Sequence, residues 1–136
     1  MQSMPEYSSI MKFTNPSDRV LNSLVLRLHE RHIFGDKYLP MYTTKYAGDS
    51  TNLKRFAYYS QVMQAYALEL AIVSLRGNKP ICMGSLYWQL NDVWPVSSWA
   101  SVDYYGAYKI SQYRIRDVYN QLLIHTVHTP ANNITS

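Results

Sequence analysis

The chain has 136 residues, which is enough for one domain of modest size. With 47% hydrophobic residues it can bury a core, and no stretch has the composition of a disordered segment. The net charge of +4 is mild and the basic residues are dispersed, so the basic stripe that nucleic-acid binding needs is missing. No run approaches the ~20 apolar residues of a membrane span. The composition therefore predicts neither nucleic acid nor a membrane as a partner.

The cysteine and histidine content predicts neither a metal nor a cofactor. Cys82 is the only cysteine, which excludes an intrachain disulfide, and it is predicted to be a small buried hydrophobe. His29 and His32 are three apart, whereas two zinc-binding histidines on one helical face are four apart. Both are better explained as positive groups near the end of a helix, where its dipole favours them.

Capping signals predict two helices near the amino terminus. Ser3 and Glu6 have the spacing of a capping box, which predicts a short helix over residues 5–11. Asn15 is a good helix cap followed by proline, and it predicts a second helix over about residues 16–30.

The middle of the chain is predicted to be a long loop followed by a long helix. Residues 33–52 contain two glycines and a proline, and a loop of this length is often a lid or a binding rim. The helix ends at Gly77 and has an apolar face with spacings of three and four residues, formed by Phe56, Tyr59, Met63, Tyr66, Leu70 and Val73.

A short apolar run over residues 81–89 predicts a buried strand. Trp88, Asn91 and Asp92 arrive at its end, where α/β proteins place their ligand sites. A loop to about residue 104 and a final helix from near Gly106 follow. Because one strand cannot form a sheet alone, we expect the chain to be part of a larger α/β domain.

The run Leu86-Tyr87-Trp88-Gln89-Leu90-Asn91-Asp92-Val93-Trp94-Pro95 resembles the β-mannosidases of glycoside hydrolase family 2. So do Ser98-Trp99-Ala100-Ser101, Asp103-Tyr104-Tyr105-Gly106 and Gln2-Ser3-Met4-Pro5. The resemblance covers most of residues 1–122. The family often has glutamine where Glu30 stands.

The resemblance implies a fold and a division of the chain. The fold is a (β/α)8 TIM barrel, of which this chain would supply the loop after strand 7, helix 7, strand 8 and helix 8. Residues 1–123 would belong to the catalytic domain, and residues 124–136 would be a loose tail or the start of a following β domain. Asn133 begins a possible glycosylation acceptor, although a chance match is at least as good an explanation.

The resemblance also implies a retaining exo-β-mannosidase, which hydrolyses terminal non-reducing β-D-mannose residues from oligosaccharides. Such an enzyme needs two carboxyl groups about 5–5.5 Å apart. In the family, both precede the segment that matches this chain, so no catalytic residue is assigned here and the chain alone is expected to be inactive. Its implied partners are the β-mannoside substrate and the remainder of the barrel. Lysosomal or secreted localisation is implied by the family, although the chain shows no targeting signal.

Within the resemblance, Trp88 carries the substrate-binding assignment. Its ring would form the floor under the mannose, and the peptide between Trp88 and Gln89 is expected to be cis, as in related barrels. Asn91 and Asp92 are weaker candidates, and for Asp92 a structural role in its loop is favoured over sugar contact.

A different class of function stays open at this point. Trp88, Trp94 and Trp99 could form a stacking surface in a non-catalytic carbohydrate-binding or interaction module, since aromatic faces suit both sugars and proteins.

Overall fold

The computed structural model describes residues 1–48, 50–124 and 126, and half of these are helical. The α-helices are α1 (Tyr7–Phe13), α2 (Leu24–Leu28), α3 (Gly35–Ala47), α4 (Leu53–Gly77) and α5 (Ile110–Val118), with a 3-10 turn at Pro16–Asp18. None of the helices in the described residues combines the length with the hydropathy that a membrane span requires.

Helix α1 confirms the first predicted helix, but the capping box behind that prediction is wrong. Glu6 stands at the cap position, and no side chain caps the helix. The hydroxyl of Ser3 instead donates to the side chain of Gln64 at 2.9 Å, because Ser3 is drawn into a buried polar network.

The single helix predicted over residues 16–30 is wrong. Asn15 does cap the 3-10 turn in a capping box with Asp18, but the turn ends there. A new start signal interrupts the helix, since the hydroxyl of Ser23 accepts a hydrogen bond from the backbone N–H of Leu26. Helix α2 therefore begins at Leu24 and is only five residues long.

The long loop predicted over residues 33–52 is also wrong, because most of it is helix α3. Pro40 lies inside this helix, one turn from its start, and the helix continues to Ala47. Leu39 and Thr43, four residues apart, are both buried. Their burial against α4 outweighs the backbone hydrogen bond that proline cannot make.

Helix α4 confirms the predicted long helix and is the centre of the structure. Asn52 caps it by accepting from the backbone N–H of Arg55 at 3.0 Å, and it packs against α1, α3 and α5. Tyr66 and Leu70, predicted to be on its apolar face, are exposed.

The predicted α/β fold, a partial (β/α)8 TIM barrel, is wrong for this structure. The described residues form no sheet, and backbone pairing between extended segments is limited to single bridges such as Ser3 with Ser98. Residues 82–87 belong to no helix or strand, and they have no neighbouring strand to pair with. Their apolar side chains are consequently exposed: Leu86 is 103% exposed, and Cys82 is only half-buried rather than buried.

The final helix is shorter than predicted. Gly106, with φ of 82°, occupies a turn, and α5 begins four residues later at Ile110. The prediction for residues 124–136, including Asn133, falls outside the described residues except at Ile124 and Thr126.

Two apolar clusters flank α4. The larger lies between α1, α2, α3 and the first turns of α4, and it contains Met4, Ile10, Leu26, Leu39, Leu53, Phe56 and Ala57. The smaller joins the last turns of α4 to α5 through Ile72, Ile115 and Val118. Between them, the middle of α4 buries the polar residues Ser60, Gln61 and Gln64.

Candidate functional site

Trp88 presents its ring to the outside of the molecule. It is 74% exposed, and its peptide bond to Gln89 is cis, which confirms the expectation drawn from the sequence. The backbone of Gln89 is held on both sides: its N–H donates to the carbonyl of Trp99 at 3.4 Å, and its carbonyl accepts from Ser101 at 3.0 Å. An exposed aromatic face is therefore mounted on an anchored backbone.

Asp92 follows four residues later and is buried, with 7% exposure. One carboxylate oxygen accepts from the hydroxyl of Ser98 at 2.6 Å, and the other accepts from the side-chain amide of Gln89 at 3.3 Å. Burial raises the pKa of this carboxyl above its ordinary value, while the Ser98 hydrogen bond opposes the rise. Asp92 thus ties the loop to the residue that follows Trp88.

Asn91 lies between them and is exposed. Its backbone carbonyl accepts from the side-chain amide of Gln89 at 2.8 Å. The three residues assigned to substrate binding from the sequence, Trp88, Asn91 and Asp92, are therefore linked through Gln89.

The other two tryptophans pack against histidines and are half-buried. Trp94 lies 5.3 Å from the ring of His29, and Trp99 meets the ring of His32 edge-on at 6.2 Å, both measured between centroids. His29 also donates from Nδ1 to the carbonyl of Pro95 at 2.5 Å. No group of three His, Cys, Asp or Glu side chains that could hold a metal ion occurs in the described part of the chain.

Gln64 is the centre of a buried polar network behind this loop. Its side-chain oxygen accepts from the hydroxyls of Ser3 and Ser111, each at 2.9 Å. Its side-chain nitrogen donates to the carbonyls of Met1 and Ser98 at 3.2 and 3.4 Å. The side chain of Gln64 therefore connects α4 to the amino-terminal segment, to the loop that contains Ser98, and to α5.

Lys109 is fully buried next to this network. Its ammonium donates to the carbonyl of Ser3 at 3.3 Å. Burial lowers the pKa of Lys109 to about 8, although the charges of Asp92 and Asp103 oppose that shift. The sequence did not reveal Lys109 or Gln64 as buried polar residues. The signal that could have identified Gln64 is that polar side chains interrupt the apolar face of α4.

Glu30 is a half-buried acidic residue at a separate position. Its carboxylate accepts from the side-chain amide of Gln2 at 2.5 Å. Burial raises the pKa of Glu30 to about 7, with the Gln2 hydrogen bond opposing the rise and Asp36 adding to it. Gly35 packs directly over this pair, and a Cβ atom added there would overlap both side chains.

A cleft of about 480 Å³ opens between α3 and the amino-terminal segment. Aromatic rings dominate its lining, which includes Gln2, His32, Tyr38, Leu39, Tyr42 and Trp99. The sequence analysis named Trp99 as a candidate for a stacking surface and placed Tyr38, Leu39 and Tyr42 in a segment of the kind that is often a lid or a binding rim.

The sequence and structure comparisons both find that the chain is similar to β-mannosidases. No protein-family model matches the chain. Beta-mannosidase B of Emericella nidulans is 34% identical over 91% of this chain, and that of Aspergillus niger is 32% identical over 91%. The crystal structure of Beta-D-Mannosidase from Dictyoglomus thermophilum covers 87% of the chain at 33% identity with a TM-score of 0.83.

In each case the chain spans 15% of the length of the protein it matches. Sequence and structure therefore both identify this chain as the counterpart of a β-mannosidase segment.

Proposed function

We propose that the chain supplies part of the substrate-binding site of a retaining exo-β-mannosidase, which hydrolyses terminal non-reducing β-D-mannose residues from oligosaccharides. The exposed ring of Trp88 on its hydrogen-bonded backbone carries this proposal. The named β-mannosidase relatives support the substrate class.

Trp88 acts as the platform for the mannose ring. The apolar face of an indole matches the C–H groups of a pyranose, and the hydrogen bonds of Gln89 fix where that face lies. A rigid platform binds with less loss of conformational freedom than a mobile one.

Asn91 and Asp92 complete the proposed substrate-binding set in different ways. The exposed Asn91 has both amide donors and a carbonyl acceptor to offer to sugar hydroxyls. Asp92 already accepts from Ser98 and Gln89, so its proposed contribution is to position the loop next to Trp88.

The 136-residue chain by itself does not hydrolyse mannosides in this proposal. Its buried and half-buried carboxylates are engaged in structural hydrogen bonds: Glu30 with Gln2, Asp92 with Ser98, and Asp103 with the backbone N–H groups of Tyr105 and Ala107. Retaining hydrolysis needs two carboxyl groups that are free to attack and to transfer a proton. They would come from the rest of a β-mannosidase, which is the proposed protein partner.

The β-mannosidase relatives favour this role over a free-standing carbohydrate-binding or interaction module. A lysosomal or secreted location belongs to the same proposal and is supported by the family resemblance. Finding the protein confined to the cytosol after cell fractionation would contradict that location.

Sugar-observed saturation-transfer NMR tests the platform. Methyl β-D-mannoside should receive magnetisation from the wild-type chain and lose most of it in Trp88→Ala. Leu86→Ala is the matched control, because Leu86 is exposed on the same segment and bears no ring. Equal transfer from wild type and Trp88→Ala would contradict the proposal. For catalysis, release of nitrophenol from p-nitrophenyl β-D-mannoside by the purified chain would contradict its proposed inactivity.

A further inference from the structure

Lys109 is a buried charged residue to which the proposed function gives no role. Its side chain is fully buried, and within the described residues its ammonium donates one hydrogen bond, to the carbonyl of Ser3. A buried ammonium costs stability unless it is well paired, and an apolar side chain of similar volume avoids that cost. A lysine at this position therefore points to a contribution other than stability.

The backbone of Lys109 is connected to the residue that follows Trp88. The N–H of Lys109 donates to the carbonyl of Ser101 at 2.9 Å, and the N–H of Ser101 donates to the carbonyl of Gln89 at 3.0 Å. Two successive hydrogen bonds therefore connect Lys109 to the backbone that holds the Trp88 ring.

A second route to Gln89 begins at the ammonium of Lys109. The carbonyl of Ser3, which accepts from the ammonium, also accepts from the backbone N–H of Ser98 at 3.1 Å. The hydroxyl of Ser98 donates to Asp92 at 2.6 Å, and Asp92 accepts from the side-chain amide of Gln89 at 3.3 Å. Together with the backbone route, these bonds form a closed ring.

The charge of the ammonium acts on the same ring. Four carboxylates face it, those of Asp92, Asp103, Glu6 and Glu30. Burial raises the pKa of Asp92, and the charges of Lys109 and Arg31 oppose that rise, with Lys109 the larger of the two. Loss of the Lys109 charge would leave the buried Asp92 carboxylate poorly compensated, which weakens its hold on Gln89.

We propose that Lys109 is a positioning residue for the mannose platform. Its ammonium keeps Asp92 charged and in place, Asp92 holds Gln89, and Gln89 sets the orientation of the Trp88 ring. Lys109 does not touch the sugar. The proposal rests on the proposed function and adds to it the residue that orients the platform.

Fluorine NMR of the full chain labelled with fluorotryptophan tests this connection without a ligand. Burial lowers the pKa of Lys109 to about 8, so a titration from pH 7 to 9.5 removes most of its charge. The signal of Trp88, identified by its loss in Trp88→Phe, should move with a midpoint near pH 8. In Lys109→Met this step should be absent.

Mannoside affinity gives a second readout that overall stability would not reproduce. The affinity for methyl β-D-mannoside, measured from the same spectra, should fall about three-fold between pH 7 and 9.5, because fewer molecules hold the ring in the binding orientation. Over this range the deprotonation of Lys109 increases the free energy of unfolding. Affinity and stability should therefore change in opposite directions, whereas a purely structural lysine would leave the affinity unchanged.

The variants isolate Lys109 from other groups that titrate. Lys109→Met should bind the mannoside about three-fold more weakly at pH 7 and with no step near pH 8. Lys54→Met is the matched control, since Lys54 is exposed in the first turn of α4, and it should keep the wild-type profile. If Lys109→Met does not fold, Asp92→Asn tests the same connection, because it removes the carboxylate through which the charge acts.

The outcomes separate this inference from the proposed function. A Trp88 signal that does not move near pH 8, or that moves equally in Lys109→Met or Asp92→Asn, overturns the role of Lys109. If the mannoside still binds Trp88 in that case, the platform is retained. If the Trp88 signal follows the charge of Lys109 but the mannoside binds at no pH, Lys109 does orient the ring and the proposed function is wrong.

Discussion

The ammonium of Lys109 is fully buried and donates a hydrogen bond to the backbone carbonyl of Ser3 at 3.3 Å. This bond joins the residue before α5 to the amino-terminal segment, across the polar middle of α4. Four carboxylates act on the buried charge, those of Asp92, Asp103, Glu6 and Glu30.

Lys109 should make stability rise with pH above 8. Burial lowers its pKa from 10.5 to about 8, so between these values the unfolded chain binds the extra proton. More protons on the unfolded state means that the free energy of unfolding increases with pH. Between pH 7.5 and 9.5 the expected gain is about 2 kcal/mol, measured from urea unfolding. Lys109→Met should remove this gain, and an unchanged pH slope in the variant would contradict the assignment.

Glu30 should make the free energy of unfolding decrease as the pH rises, over a lower pH range than that of Lys109. Burial raises its pKa from 4.5 to about 7, so the folded state holds the extra proton between these values. The stability associated with Glu30 is therefore present below pH 4.5 and is lost as the pH rises toward 7. Glu30→Gln should stabilise the chain at pH 8 by about 1–2 kcal/mol, because the amide avoids the cost of a buried charge.

The same variant has an internal control at pH 4. There Glu30 is mostly protonated in both the folded and the unfolded state, so urea midpoints of Glu30→Gln and the wild type should nearly coincide. A destabilised variant at pH 8 would show that the charged carboxylate has a stabilising partner.

Gly35→Ala should destabilise the structure. The added Cβ would overlap the Glu30 carboxylate and the Gln2 amide, which already hold each other in place. Because the overlapped atoms lie at the ends of flexible side chains that can shift, the expected cost is about 1 kcal/mol, at the low end for added volume. Gly84→Ala is the matched control, because nothing lies within 4 Å of a Cβ atom there. Thermal melts should show a lower midpoint for Gly35→Ala only, and a shared midpoint would contradict the packing described.

Gln64→Met should be the most damaging of the conservative changes in α4. It keeps the volume but leaves the hydroxyls of Ser3 and Ser111 without their acceptor, whereas the carbonyl of Ser98 still accepts from the backbone N–H of Ser3. Unsatisfied buried groups cost about 1–3 kcal/mol each, so a loss of about 3 kcal/mol in the free energy of unfolding is expected. Gln121→Met, at an exposed position, should change it little. Equal free energies of unfolding for Gln64→Met and the wild type would show that the network contributes no net stability.

The sequence predicted α4 well because its signals are local. Asn52 caps it, Gly77 ends it, and an apolar periodicity runs between them. The loop prediction for residues 33–52 failed because Gly35 and Pro40 were interpreted as helix breakers. Gly35 instead makes room for Glu30, and Pro40 is tolerated in a helix whose buried face packs on α4.

The fold class was wrong because a strand depends on neighbours that local sequence does not contain. An apolar run bounded by Gly77 and Pro80 predicts a buried strand, yet Ile81 is 93% exposed and no strand pairs with the run in the described structure. The cis peptide after Trp88 was predicted through the family resemblance. The buried network of Gln64 and Lys109 was missed, because its members come from distant segments and have no periodic pattern.

The three tryptophans allow the central claim to be measured directly, since each contributes one indole N–H signal to an NMR spectrum. Addition of methyl β-D-mannoside should shift the signal of the exposed Trp88 and leave that of the half-buried Trp94 in place. A shift of the Trp94 signal together with an unchanged Trp88 signal would contradict the assignment of Trp88 as the mannose platform.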